Sequence, residues 1–229
     1  MSPVDCIFLD PARRNEHGGK TVAISDCEPN VAKLEGLLLS KANRIMIKLS
    51  PMLDLSQALK ELPHTQEVHI ISVNNECKEL LLLLGQTAPE EIPVHCVNLS
   101  TKGEQEKQLF VFTREQEQHS ECSYTDTLGN YLYEPNASLL KAGAFRSIAA
   151  AYSVKKLHPN SHLYTSDTQI EGFPGRTFRI INRCSLNKKE IKENLSDLKK
   201  ANITVRNFPA TVAELRKRIK LAEGGDTYL

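Results

Sequence analysis

Ile7-Phe8-Leu9-Asp10-Pro11-Ala12-Arg13-Arg14 (IFLDPARR) is the stretch on which the reading of this chain turns, because an apolar run stops there at an Asp-Pro pair. Val4–Leu9 reads as a first β-strand. Pro11 fixes its own φ and confines Asp10 to extended conformations, so the carboxylate is presented at a strand end with little freedom. Ligands of open α/β sheets bind at the carboxyl ends of strands, and a carboxylate held there can accept a proton or a hydrogen bond. An Asp-Pro pair is also ordinary turn chemistry, and spacing alone leaves that reading open.

Working outward, short β-like runs alternate with amphipathic helices, the pattern of a parallel sheet covered by helices. Asn30 is placed to cap a helix with Val31, Leu34 and Leu38 on one stripe. Residues 44–49 predict a second strand, 54–62 a helix, 68–73 a third strand and 76–84 a further helix. Residues 94–99 and 108–113 flank a polar loop containing Gly103 and read as an antiparallel pair that closes the sheet. Residues 114–126 show no periodicity and mark a boundary. Beyond it the pattern predicts a strand at 131–133, a helix at about 137–152, and strands at 162–165 and 177–181. A helix at 188–199 has Asn187 and Glu190 placed as a capping box, and a strand is expected at 203–206. Thr211 and Glu214 open a last helix, which Gly224 and Gly225 are expected to end. A strand within four residues of the start, and a strand-like TYL with nothing after it, give the expectation that the chain is a fragment.

Over 229 residues the composition is 40% hydrophobic, 6% aromatic and 25% charged, which excludes a disordered or collagen-like chain and is long enough for two domains. The longest aliphatic run, residues 80–84, is far short of the roughly 20 residues of a membrane span, and no apolar stretch follows a basic start. Neither membrane spanning nor secretion is expected. Six cysteines, at 6, 27, 77, 96, 122 and 184, form no C-x-x-C pair and read as reduced thiols, with the cytoplasm as the expected compartment. The net charge of +1 conceals a separation. Residues 61–134 hold four Lys/Arg against thirteen Asp/Glu, and residues 176–220 hold thirteen against four. The second segment suits a polyanionic partner, although a solvated surface gives the same count.

LDPARR at residues 9–14, IKLSPMLD at 47–54, SVNNECKEL at 72–80 and the terminal GGDTYL after a basic helix together carry a family resemblance. The chain resembles the class I S-adenosylmethionine-dependent methyltransferases, whose fourth strand ends in an Asp/Asn-Pro-Pro-type motif. It is most similar to the bacterial branch with a C-terminal THUMP-like domain. The resemblance implies an α/β fold: the distal half of a Rossmann-like methyltransferase sheet (residues 1–113), a ferredoxin-like α+β unit (114–184) and an incomplete basic THUMP-like module (185–229). It implies S-adenosylmethionine as cofactor and Asp10 as the group that orients or deprotonates the methyl acceptor. Pro11, Ala12, Arg13, Arg14, Lys48, Ser50 and Pro51 would line the pocket around it.

The chain also departs from that family. The family's glycine-rich turn after the first strand and its ribose-binding acidic residue after the second do not precede Asp10, and Gly18-Gly19 lies downstream with no convincing helix after it. The first strand here thus corresponds to the family's fourth, and the chain by itself is expected to bind the cofactor weakly or not at all and to be inactive. Some related RNA uridine methyltransferases place a cysteine in a Ser-Cys-Asn-Pro turn, where this chain reads Ser72-Val73-Asn74-Asn75. Cys77 is expected to be buried on a following helix. Direct transfer to a nitrogen or hydroxyl needs no such nucleophile.

No H-E-x-x-H spacing occurs, and His69 and His95 each fall within a strand and read as packed or hydrogen-bonded, so no metal site is expected. THUMP domains bind RNA, and Arg176, Arg179, Arg216, Lys217 and Lys220 are the residues placed for phosphate contacts. The reading is a methyltransferase acting on RNA. Its rival is a non-catalytic RNA-binding protein that retains a degenerate methyltransferase sheet.

Overall fold

A computed structural model describes residues 4–13, 23–101 and 107–229. The chain divides into two compact units, one made of Met1–Cys122, Pro135–Tyr152 and Gly172–Arg176, the other of Ser123–Glu134, Ser153–Glu171 and Thr177–Leu229.

The first unit is built on a mixed sheet. Its strands β1 (Val4–Leu9), β4 (Ala42–Leu49), β5 (Thr65–Val73), β6 (Glu76–Leu84), β7 (Pro93–Leu99) and β8 (Lys107–Thr113) lie in the order β1-β4-β6-β5-β7-β8. Two short segments, β2 (Ala12–Arg13) and β3 (Cys27–Glu28), pair separately. Among the described residues five α-helices belong to this unit: α1 (Val31–Leu39), α2 (Leu55–Glu61), α3 (Arg114–His119), α4 (Ala137–Ala142) and α5 (Arg146–Tyr152). Asn30 and Asp54 cap α1 and α2 as their side-chain oxygens accept from Lys33 N at 3.1 Å and Gln57 N at 2.8 Å. The pairs β1/β4 and β5/β7 are parallel and the rest antiparallel, and β8 closes one edge as expected.

Residues 76–84 form strand β6, where a helix was expected. A run of five leucines has no period, so it suits either element. Asn74 and Asn75 decide, with φ of +50° and +63°, because two consecutive left-handed residues make the tight reversal that joins antiparallel strands. Strand alternation then sorts the run: Leu80, Leu82 and Leu84 are buried against the helices, while Leu81 and Leu83 are only half-buried on the other face. With them Ile45, Ile47, Val68, Ile70, Val94 and Cys96 make the core, covered by α1 on β4 and by α4 on β5, β6 and β7. Residues 137–152 are also not one helix. Gly143 ends α4 at φ +77°, and the Glu117 carboxylate, accepting from the backbone N–H groups of Phe145, Arg146 and Ser147, starts α5. Of the expected α1 stripe, Val31 is buried but Leu34 and Leu38 only partly; Glu35 is buried instead, its carboxylate accepting from His64 N at 3.2 Å.

The second unit holds a four-stranded sheet in the order β10-β11-β9-β12, formed by β9 (Tyr131–Pro135), β10 (Lys155–His158), β11 (Ser161–Ser166) and β12 (Gly175–Arg179). β11 runs antiparallel to both β10 and β9. Tyr133 is fully buried, and its hydroxyl donates to Thr168 O at 3.1 Å and accepts from Ile170 N at 2.9 Å. Two helices follow, α6 (Lys188–Leu195) and α7 (Val212–Ile219). Thr211 and Glu214 form the expected capping box, yet α7 stops at Lys220, itself left-handed at φ +61°, four residues before the glycines. The strand expected at 203–206 is reduced to single bridges: Asn202 N donates to Thr227 O and Thr204 N to Leu229 O. Among the described residues no helix is long and apolar enough to cross a membrane.

The two faces of β6 should respond differently to truncation. Leu82→Ala leaves a void in the core and is expected to cost roughly 2–5 kcal/mol, whereas Leu81→Ala should cost about 1 kcal/mol or less. Urea denaturation of both variants checks this; equal losses would contradict the strand's sidedness.

Candidate functional site

The parallel register of β1 and β4 pairs residues thirty-eight positions apart, from Val4 with Ala42 to Leu9 with Ile47. Continued by one step, it sets Asp10 beside Lys48. The Lys48 Nζ lies 2.5 Å from Asp10 Oδ2, with the two side chains 31% and 53% exposed. The hydrogen bond it donates to Asp10 holds the Lys48 ammonium above its ordinary pKa, with desolvation opposing and the charges of Asp10 and Glu79 adding to it. Pro11 is buried. Ser50 and Pro51 leave β4 at the same edge and turn the chain into α2: Ser50 Oγ accepts from Met52 N at 3.3 Å and Ser50 O from Leu53 N at 3.1 Å. Ala12 and Arg13 form β2, paired with Glu28 and Cys27. Arg14 lies outside the described residues. The structure therefore brings Asp10, Lys48, Ser50 and Pro51 to one sheet edge. Both residues of the ion pair were legible as strand ends, but their pairing depends on a register that the sequence does not print.

β6 is antiparallel to both β4 and β5, so β1, β4, β5 and β7 all end at this edge. The turn at Asn74-Asn75 is held there by a network of side chains that the sequence did not reveal. Asn98 Oδ1 accepts from Ser72 Oγ at 2.8 Å and from Asn75 N at 3.0 Å, and Asn98 Nδ2 donates to Gln108 Oε1 at 3.2 Å. Asn136 Nδ2 donates to the same Gln108 oxygen at 3.0 Å, and Ala137 N to Asn75 Oδ1 at 2.8 Å. Cys77 lies on β6 opposite Ser72, not on a helix. Burial pushes its thiol pKa up, more than the charge of Lys141 draws it down, which disfavours the thiolate a nucleophile needs.

A cavity of about 250 Å³ in the same unit is lined by residues that include Asp54, Ser56, Val94, Phe112, Arg114 and Lys141. None of the residues singled out from the sequence lines it. Its cations are engaged with the fold: Arg114 Nη2 donates to Ser56 Oγ at 3.1 Å and Lys141 Nζ to Leu53 O at 2.6 Å.

In the basic C-terminal segment, Arg176 and Arg179 lie on β12, with Arg179 exposed. Phe178 packs on Tyr228 with ring centroids 4.9 Å apart. Arg216 is committed to the fold, donating to the carbonyls of Ala201 at 3.4 Å and Leu221 at 3.3 Å. Lys217 and Lys220 are exposed, as is Arg218, which the sequence reading had not chosen. His69 and His95, read separately as strand residues, stack on each other with centroids 4.4 Å apart.

This is a mixed α/β protein whose six-stranded sheet and second, antiparallel sheet match a methyltransferase-like fold with ferredoxin-like and THUMP-like parts. Residues 131–174 match a ferredoxin-like domain family, and residues 175–229 a THUMP domain-like family. Among solved structures the chain is similar to one titled "Crystal structure of putative methyltransferase from Porphyromonas gingivalis W83", with 41% sequence identity and a TM-score of 0.86. The match covers 98% of this chain and 55% of that one, so this chain spans about half the length of its structural relative. No curated protein sequence matches it.

The ion pair is directly testable. Folding raises the proton affinity of Lys48, so whatever the pair contributes to stability is fully present below the ammonium's ordinary pKa of 10.5 and is lost as pH rises through the folded value. Asp10→Asn should move the Lys48 midpoint down towards 10.5 when its side-chain carbon resonance is followed by NMR. An unchanged midpoint would show that Asp10 is not its partner.

Proposed function

We propose that this chain supplies the acceptor side of an S-adenosylmethionine-dependent methyltransferase acting on RNA, and that its THUMP-like segment holds the RNA. The observation that carries this reading is the Asp10–Lys48 pair at the carboxyl end of two parallel strands, in a chain that is 41% identical over 98% of its length to one titled "Crystal structure of putative methyltransferase from Porphyromonas gingivalis W83". Among the described residues, those that follow the strands at this edge are Asp10-Pro11, Ser50-Pro51, Asn74-Asn75 and Ser100-Thr101. None is a glycine, and a close backbone approach to a nucleoside depends on the missing Cβ. The carboxylate and ammonium at the described edge suit a methyl acceptor.

Asp10 Oδ2, steered by Lys48, is the atom that would receive the hydrogen bond and then the proton of an acceptor N–H or O–H. Pro11 keeps that carboxylate at the strand end. The exposed Lys217, Arg218 and Lys220 beside the end of α7 suit the sequence-independent phosphate contacts that position an RNA. Arg179 extends the same charge onto β12.

Two measurements test the reading. In a polypeptide that joins this chain to donor-binding residues, Asp10→Ala should lower turnover about 10²-fold or more with little change in RNA affinity. Retained turnover would return Asp10 to a turn residue. RNA binding without methyl transfer by the unaltered protein would favour the non-catalytic rival. The second measurement is filter binding of RNA across a salt series. Each phosphate contact to a single strand contributes a slope of roughly −0.7 in log K against log salt, so replacing Lys217, Arg218 and Lys220 together by Ala should flatten the slope by about two units. An unchanged slope would leave that surface merely solvated.

A further inference from the structure

Glu67 and His69 lie two positions apart on β5, so their side chains leave the same face of the sheet. His95 on β7 is the parallel partner of His69. The neighbours of this polar trio across the ladder are apolar: Leu83 faces Glu67 and Leu81 faces His69 on β6, and Val111 faces His95 on β8. Glu67 Oε2 lies 3.2 Å from His69 Nε2 and 3.9 Å from His95 Nε2. The two imidazoles stack 4.4 Å apart with 9° between their planes, and the three donor atoms lie within 4.8 Å of one another.

A hydrogen bond from His69 to Glu67 accounts for one of these distances. It does not account for His95 Nε2 turning towards the same carboxylate at 3.9 Å, beyond hydrogen-bond reach, nor for two ring nitrogens and a carboxylate oxygen converging inside an apolar frame. Two imidazole nitrogens and one carboxylate oxygen are a donor set suited to zinc and its first-row neighbours.

We propose that Glu67, His69 and His95 bind a divalent transition-metal ion, for which Zn²⁺ is the fitting case. A tetrahedral ion with bonds of about 2.0–2.2 Å sets its donors roughly 3.3–3.6 Å apart. Glu67 and His69 already meet that spacing at 3.2 Å. His95 reaches it by rotating about its side-chain bonds, which tilts its ring out of the parallel stack and leaves the ladder in place. The side chains are 26–44% exposed, enough for an ion to enter. Three protein donors leave a fourth position for water or for a ligand atom, and the ion would tie β5 to β7 through their side chains as the ladder ties their backbones.

The proposal rests on the sheet geometry alone and is independent of the methyl-transfer reading. Its test is titration of the whole chain with Zn²⁺, followed by NMR of the histidine ring nitrogens. One equivalent should shift the rings of His69 and His95 before those of the other histidines. Glu67→Gln and His95→Ala should each weaken binding by more than the roughly 10–100-fold that loss of an outer-shell partner costs. Zinc that leaves the His69 and His95 resonances unmoved, binding elsewhere or not at all, would overturn the proposal on the unaltered chain, whether or not the variants fold. Unchanged affinity in folded variants would overturn it equally.

Discussion

Leu80, Leu82 and Leu84 reach the core from a strand that runs against its two neighbours, and most of the first unit depends on that insertion. Burial of each leucine is worth about 1.5–3 kcal/mol, and β6 also satisfies the inner hydrogen-bonding edges of β4 and β5 at once. Because β6 is antiparallel to both, β4 and β5 run in the same direction. Because β5 pairs with β7 in parallel, the carboxyl ends of β1, β4, β5 and β7 all collect at one edge. Had residues 76–84 folded as a helix, β4 and β5 would have had to pair directly, and Asp10 would have faced a different set of loops.

The turn that makes this insertion possible is held from three directions. Asn74 N donates to Leu99 O at 2.8 Å, Asn75 N donates to Asn98, and Asn75 Oδ1 accepts from the start of α4. Asn136, almost fully buried, caps α4 with its oxygen while its amide donates to Gln108. In a low-dielectric interior each such group is costly when unpaired, so a network in which these side-chain amides all find partners fixes one arrangement of strands and helix. The edge that presents Asp10 and Lys48 is thereby rigid on one flank, and a rigid flank is what a group that orients a substrate needs.

The second unit places charges inside and pairs them. Lys156, 1% exposed, donates its three-proton head to the carbonyls of His158 at 2.8 Å and Pro159 at 2.6 Å. Glu134, 3% exposed, is paired with Arg206. Removing Arg206 would leave the Glu134 carboxylate without that partner away from water, which makes the contact a marker of fold more than a reserve of stability. Of the basic residues counted along the sequence, Arg206 is engaged by Glu134, and Arg216 by the carbonyls of Ala201 and Leu221. Arg183, Lys188, Lys189, Lys192, Lys199 and Lys200 stay exposed in that segment, as do Arg179 and the end of α7.

By itself the sequence determined the local events. Asn30 and Thr211 cap the helices they were expected to cap, because a side-chain oxygen and a nearby backbone N–H need no distant partner. The strand Val4–Leu9 and its abrupt end at Asp10-Pro11 were legible for the same reason, as was the closing pair β7 and β8. Tertiary structure alone decided the leucine run, whose composition suits helix or strand until a long-range ladder takes it up. It also decided the break at Gly143, where Glu117 reaches across from α3, and the fate of residues 203–206, where Thr204 N donates to Leu229 O instead of joining a ladder. The candidate site followed the same division. Asp10, Ser50 and Pro51 could be read as strand ends, but Asp10 beside Lys48, and His69 against His95, exist only because sheet registers join residues thirty-eight and twenty-six positions apart. Register is set by the packing of whole strands, and no local pattern in the chain encodes it.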